Sequence, residues 1–103
     1  MPDELESLQQ QADAIKAEIE MLQRGKRSLD QALGEFNHQA RQVRDALVRV
    51  GINADLELKL KSLDRNTKLT LDDIAKNQAQ RDQLSQKLTA IEEKIGRMNT
   101  NLR

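Results

Sequence analysis

Residues 5–50 read LESLQQQADAIKAEIEMLQRGKRSLDQALGEFNHQARQVRDALVRV, and the spacing of their apolar side chains decides the fold. With Leu5 as heptad position a, the a positions are Leu5, Ala12, Ile19, Lys26, Leu33, Ala40 and Leu47. The d positions are Leu8, Ile15, Leu22, Leu29, Phe36, Val43 and Val50. Thirteen of these fourteen are apolar, and Lys26 is the exception. Steps of three and four sustained over seven heptads put one apolar stripe on a long helix that seeks a partner helix. The stripe predicts a helix over 3–50, with Pro2 tolerated near its start because the first amides of a helix lack partners.

That helix must stop at Val50-Gly51-Ile52-Asn53. Gly51 can take the left-handed conformation that closes a helix, with Ile52 expected to fold back onto the last turn. Asn53 suits the N-cap of a following helix, and Arg49 suits the negative C-terminal end of the first. Beyond the turn, Leu84, Leu88, Ile91, Ile95, Met98 and Leu102 return to a heptad. Extended backwards it gives a positions Arg81, Ile74, Thr67 and Leu60 and d positions Asn77, Thr70, Leu63 and Leu56. The sequence thus predicts an all-α chain forming a long antiparallel coiled-coil helical hairpin in a single domain, 1–103: helix 3–50, turn 51–53, helix 54–102.

The segment 54–71 admits other readings. Leu56, Leu58 and Leu60 alternate with charged residues, and Leu69 and Leu71 flank Thr70, which is a strand signal around an Asp64-Arg65-Asn66 turn. Thr70-Leu71-Asp72-Asp73 could instead cap a helix restarting at 71, after a short helix and a break near 66–70. Continuous helix is the favoured reading, because Leu, Glu and Lys favour helix and disfavour strand.

A tight turn at 51–53 makes the residue numbers of facing positions add to 103. The two heptads, read separately, then meet in register: Leu47 faces Leu56, Val43 faces Leu60, Ala40 faces Leu63, and Leu5 faces Met98 at the far end. Two unrelated phases of a seven-residue repeat would agree this well about one time in seven. Lys26 falls opposite Asn77 and beside Arg81, a polar layer expected to set register and partner number. Among flanking pairs, Glu18 with Lys87 and Arg44 with Glu57 are attractive. A register adding to 117 would set Phe36 against Arg81 and Lys26 against Ile91, which is worse. The ends of such a seam should be better held than its polar middle, at roughly 0.8 kcal/mol per buried methylene. Ala32 and Ala46 at g positions, with Leu58 and Leu71 off the seam, widen the apolar face. They are candidate contacts for a protein partner or for dimerisation toward a four-helix arrangement.

Composition bounds the function classes. Charged residues are 33% of the chain and Phe36 is its one aromatic, so Leu, Ile and Val must form a narrow seam without large rings. Seventeen basic residues balance seventeen acidic ones, although 1–23 is acidic and 24–49 basic. Arg24, Arg27, Arg41 and Arg44 form a weak basic set with no aromatic between them to stack on bases, so a nucleic-acid role ranks low. No catalytic constellation is present: His38 stands alone at a solvent-facing f position, and the adjacent carboxylates Asp72-Asp73 and Glu92-Glu93 point in different directions. No cysteine, metal-ligand spacing or phosphate loop suggests a cofactor or metal. No apolar run reaches a membrane span and the start lacks a signal peptide's apolar region, so a cytoplasmic protein is the expectation.

On a helix–insert–helix reading, with Leu56-Glu57-Leu58-Lys59-Leu60-Lys61 in an inserted hairpin, the layout resembles the β-type prefoldin subunit, two long helices joined by a β-hairpin. The segment departs from that pattern in lacking the usual Val and Gly, and no functional residue is carried over. A small chaperone or inhibitor that masks a partner's surface with the exposed apolar face is the second reading, and a prefoldin-like layout is compatible with it. The residues themselves favour a non-enzymatic coiled-coil interaction module, an adaptor or structural subunit that binds a protein and self-associates. A nucleic-acid-associated accessory factor is the third reading.

Overall fold

A computed structural model describes residues 3–101. Two α-helices of 48 residues each, α1 (Asp3–Val50) and α2 (Ala54–Asn101), form an all-α helical hairpin with no strand among the described residues. Pro2 and Leu102 lie outside them.

The turn follows from three residues. Gly51 takes φ = 77°, where a side chain would be strained, and its N–H donates to the carbonyl of Leu47 at 2.8 Å. Asn53 caps α2: its Oδ1 accepts from the Leu56 N–H at 3.0 Å, and its carbonyl accepts the first helical bond from Glu57 at 3.0 Å. Ile52 does not fold back onto α1; it is 96% exposed. The closure is a single bond from Gly51, without the second bond from Ile52's amide that brings its side chain over the last turn. Val50 is exposed as well, because in this register its d position faces the polar cap Asn53.

The segment 54–71 is helix throughout, which removes the inserted hairpin, the break near 66–70 and the layout on which the prefoldin resemblance rested. Leu56, Leu60 and Leu63 lie on the seam, whereas Leu58, Leu69 and Leu71 point to solvent, so the strand-like alternation mixed two faces of one helix. Thr70 caps nothing. Its Oγ1 donates to the Asn66 carbonyl at 2.8 Å one turn back, the usual way a threonine satisfies its hydroxyl inside a helix.

The chain divides into two compact units, Lys26–Lys76 and a second made of Met1–Gly25 with Asn77–Arg103. In the first, Ala40, Val43 and Leu63 form a buried cluster with Phe36, Leu47, Leu56 and Leu60 against it, and Arg44 reaches Asp64 at 3.4 Å. Ala40 with Leu63, Val43 with Leu60 and Leu47 with Leu56 are pairs the 103 register sets face to face. Arg44 therefore pairs with Asp64, one heptad beyond the expected Glu57. Helical side chains lean toward their own N-terminus, which in antiparallel helices tips Arg44 and Asp64 toward each other and Glu57 away. In the second unit Ala12 is buried, Ile15, Ile19, Leu84, Leu88 and Ile91 are half-buried, and Lys16 reaches Glu92 at 3.9 Å. Both ion pairs join e positions at the same offset, so each unit keeps one register.

Burial does not fall off in the polar stretch. Thr70 and Asn77 are among the most buried residues, at 8% and 7%, while Leu5, Leu8, Ile95 and Met98 are half-buried. Two helices alone shelter a short side chain fully and let a long one protrude. No large side chain among the described residues is fully buried.

Register has a direct check within Lys26–Lys76. Cysteines at Ala40 and Leu63 should oxidise readily to an intrachain disulfide, seen by non-reducing electrophoresis and mass. Cysteines at Ala40 and Thr70 should not, being offset by seven residues, or about 10 Å along the helix.

Candidate functional site

The most constrained polar group in the molecule is Asn77. Its Nδ2 donates across the seam to the main-chain carbonyl of Leu22 at 2.8 Å, and its Oδ1 accepts from Arg81 Nε at 2.8 Å. Arg81 turns a second nitrogen to Gln78 Oε1 at 2.6 Å. Gly25 lies beside this contact on α1, but the approach does not require a glycine: a methyl there would lie 3.6 Å from Asn77 Nδ2, an ordinary contact. Asn77 is therefore buried with both ends of its amide satisfied, at a spot where an apolar side chain would leave Arg81 without this acceptor.

Lys26, expected in the same polar layer, directs its ammonium along its own helix to Asp30, 3.8 Å away, with its side chain 42% exposed. Its stem lies at an a position while its charge reaches water, the arrangement of a snorkelling lysine. A half-exposed pair of this kind at i,i+4 contributes only about 0.3–0.5 kcal/mol.

The candidate partner contacts differ in kind. Leu58 is 69% and Leu71 49% exposed, whereas Ala32 and Ala46 are half-buried at the shoulder of the seam. Leu58 and Leu71 stand thirteen residues apart, about 20 Å along α2, so the fold does not gather them into one spot. Leu69 is exposed as well, but two residues from Leu71 on the helix it points to another side. The turn adds apolar surface absent from the sequence reading: Val48, Val50 and Ile52 are 86%, 62% and 96% exposed. Val48 carried a signal, being a valine at a b position where a solvated helix would place a polar residue. All four arginines of the basic set, Arg24, Arg27, Arg41 and Arg44, are exposed, and Arg44 reaches Asp64 at 3.4 Å.

His38 is exposed and hydrogen-bonded only to Gln42, at 3.2 Å. No group of three or more His, Cys, Asp or Glu among the described residues could hold a metal ion. No helix among them is long and apolar enough to cross a membrane. No protein family, no curated protein and no solved structure matches the chain.

Substitutions at Asn77 should separate its two roles. Asn77→Ala leaves a gap and frees Arg81, and thermal or urea unfolding should show a loss of about 1–3 kcal/mol. Asn77→Leu fills the gap with apolar volume and should recover most of that loss, while the oligomeric state becomes less uniform in light scattering.

Proposed function

We propose that the chain is a non-enzymatic coiled-coil interaction module that works by docking a protein partner, as an adaptor or structural subunit of a larger assembly in the cytoplasm. The observation that carries this reading is the distribution of exposed apolar side chains. Of the seven large hydrophobic residues exposed among the described ones, six (Val48, Val50, Ile52, Leu58, Leu69 and Leu71) belong to Lys26–Lys76, and only Met21 does not. Single exposed apolar residues are ordinary on any protein, and these are spread along the helix, but the weighting of six of seven to one unit supports a contact surface there. The same surface suits a chaperone or inhibitor that covers a partner, and the identity of what it captures separates those uses.

The residues expected to matter are those that leave the seam intact. Leu58→Glu, Leu71→Glu and Val48→Glu should each weaken capture of the partner from native extract by tenfold or more, a loss of ~1.4 kcal/mol. The helical circular dichroism spectrum should stay unchanged. If the protein acted on nucleic acid instead, charge reversal at Arg24, Arg27 and Arg41 would abolish a salt-sensitive mobility shift while the leucine variants behaved as wild type.

A further inference from the structure

The unit made of Met1–Gly25 and Asn77–Arg103 has two unlike sides. On the e side, Lys16 and Glu92 bridge the helices across the seam at 3.9 Å. On the g side the seam is open. A groove of about 350 Å³ is lined by Glu18, Met21, Leu22, Gln83, Leu84 and Lys87, among others. A second, of about 450 Å³, runs past Ala14, Ile15, Lys87, Ala90 and Ile91. Lys87 belongs to both, so the two grooves adjoin. Their floor is the apolar seam and their walls are small or uncharged side chains. Glu18 and Lys87 are the only charges along them, one on each helix, and neither forms an ion pair among the described residues.

We propose that this face is a homodimer interface, occupied by the same face of a second copy related by a two-fold axis. Such an interface must complement itself: whatever position i meets on its partner, that position must in turn meet i. With the axis parallel to the helices, α1 of one copy lies over α2 of the other and runs antiparallel to it. Glu18 faces position 85 in the 103 register, so Lys87 lies only two residues, or about 3 Å, further along. The rotation therefore sets Glu18 of each copy against Lys87 of the other, closing two ion pairs that the single chain leaves open. Met21, 69% exposed on one chain, gains apolar cover over the partner's groove. The product is a four-helix bundle with antiparallel neighbours, and its flanking charges choose the partner as g-position charges do in coiled coils. The interface is separate from the exposed surface of Lys26–Lys76 and does not rest on its role in docking.

Charge reversal tests it on the full chain by analytical ultracentrifugation. The wild-type chain is expected to be a dimer at micromolar concentration. Glu18→Lys alone places lysine against lysine in both pairs, and Lys87→Glu alone places glutamate against glutamate. Each should raise the dissociation constant by about tenfold or more in low salt, with helix content unchanged. The double variant, and an equimolar mixture of the two single variants, should dimerise as wild type does, because both restore opposite charges. Met21→Asp should weaken the dimer in every background, and Leu58→Glu should leave it intact. A wild-type monomer, a dimer indifferent to both single reversals, or a mixture that fails to recover would each overturn the proposal.

Discussion

The three-residue turn Gly51-Ile52-Asn53 is the constraint on which the rest of the structure depends. Gly51 at φ = 77° ends one helix and Asn53 caps the next, with no slack between them. Within Lys26–Lys76, each seam contact inherits its partner from that closure. A helix that re-entered one residue later would rotate its stripe by about 100° and take the leucines out of the seam. A slip of a whole heptad would keep the stripe facing inward but move Asn77 away from the Leu22 carbonyl that it holds at 2.8 Å. Turn and asparagine thus act on the same variable from two places, the turn through chain geometry and the asparagine through an amide that must be satisfied once buried.

A pair of helices without a third layer sets the energetics. Each stripe can be covered only by the other, and the outer half of every long side chain meets water. Stability therefore accumulates from many half-buried leucines and isoleucines, and a polar residue costs less than in a dense core. Thr70 and Asn77 are affordable at the most sheltered positions because each finds a main-chain carbonyl within reach, Asn66 for one and Leu22 for the other. The same thinness leaves apolar surface to spare, around the turn in one unit and in the open grooves of the other. Both proposed interactions spend that surplus.

Most of the fold was legible because a heptad is a geometric statement. From Leu5 to Leu47 and from Leu56 to Met98, every a and d position is at least half-buried, including Lys26, Thr67, Asn77 and Arg81, whose chemistry alone would have argued for solvent. The difficulties lay where chemistry and period disagreed. Leu58 and Leu71 made a strand-like alternation with seam residues, and only the continuity of the period showed them to be outward-facing. Side-chain lean was invisible to a reading by facing numbers, so Arg44 was assigned to Glu57 and not to Asp64. The exposure of Ile52 depended on which of two closures Gly51 would adopt, and the residue types around it allow both. The Leu22–Asn77 bond was half legible: the asparagine stood out as a polar seam residue, but nothing in sequence marks a main-chain carbonyl as its acceptor.

The central claim, one antiparallel register maintained in both units, is tested most directly by distances between paired spin labels on exposed positions. Labels at Gln42 and Lys61 report on Lys26–Lys76, and labels at Gln10 and Glu93, away from the proposed dimer face, report on the other unit; in each pair the numbers add to 103, and labelled chain is diluted into excess unlabelled chain so that only distances within one chain are read. Pulsed electron resonance should give a single narrow distribution for both pairs, consistent with helices about 8–10 Å apart plus the reach of the labels. A broad or bimodal distribution for either pair, or a longer distance that shortens when the α2 label is moved seven residues, would contradict a single register.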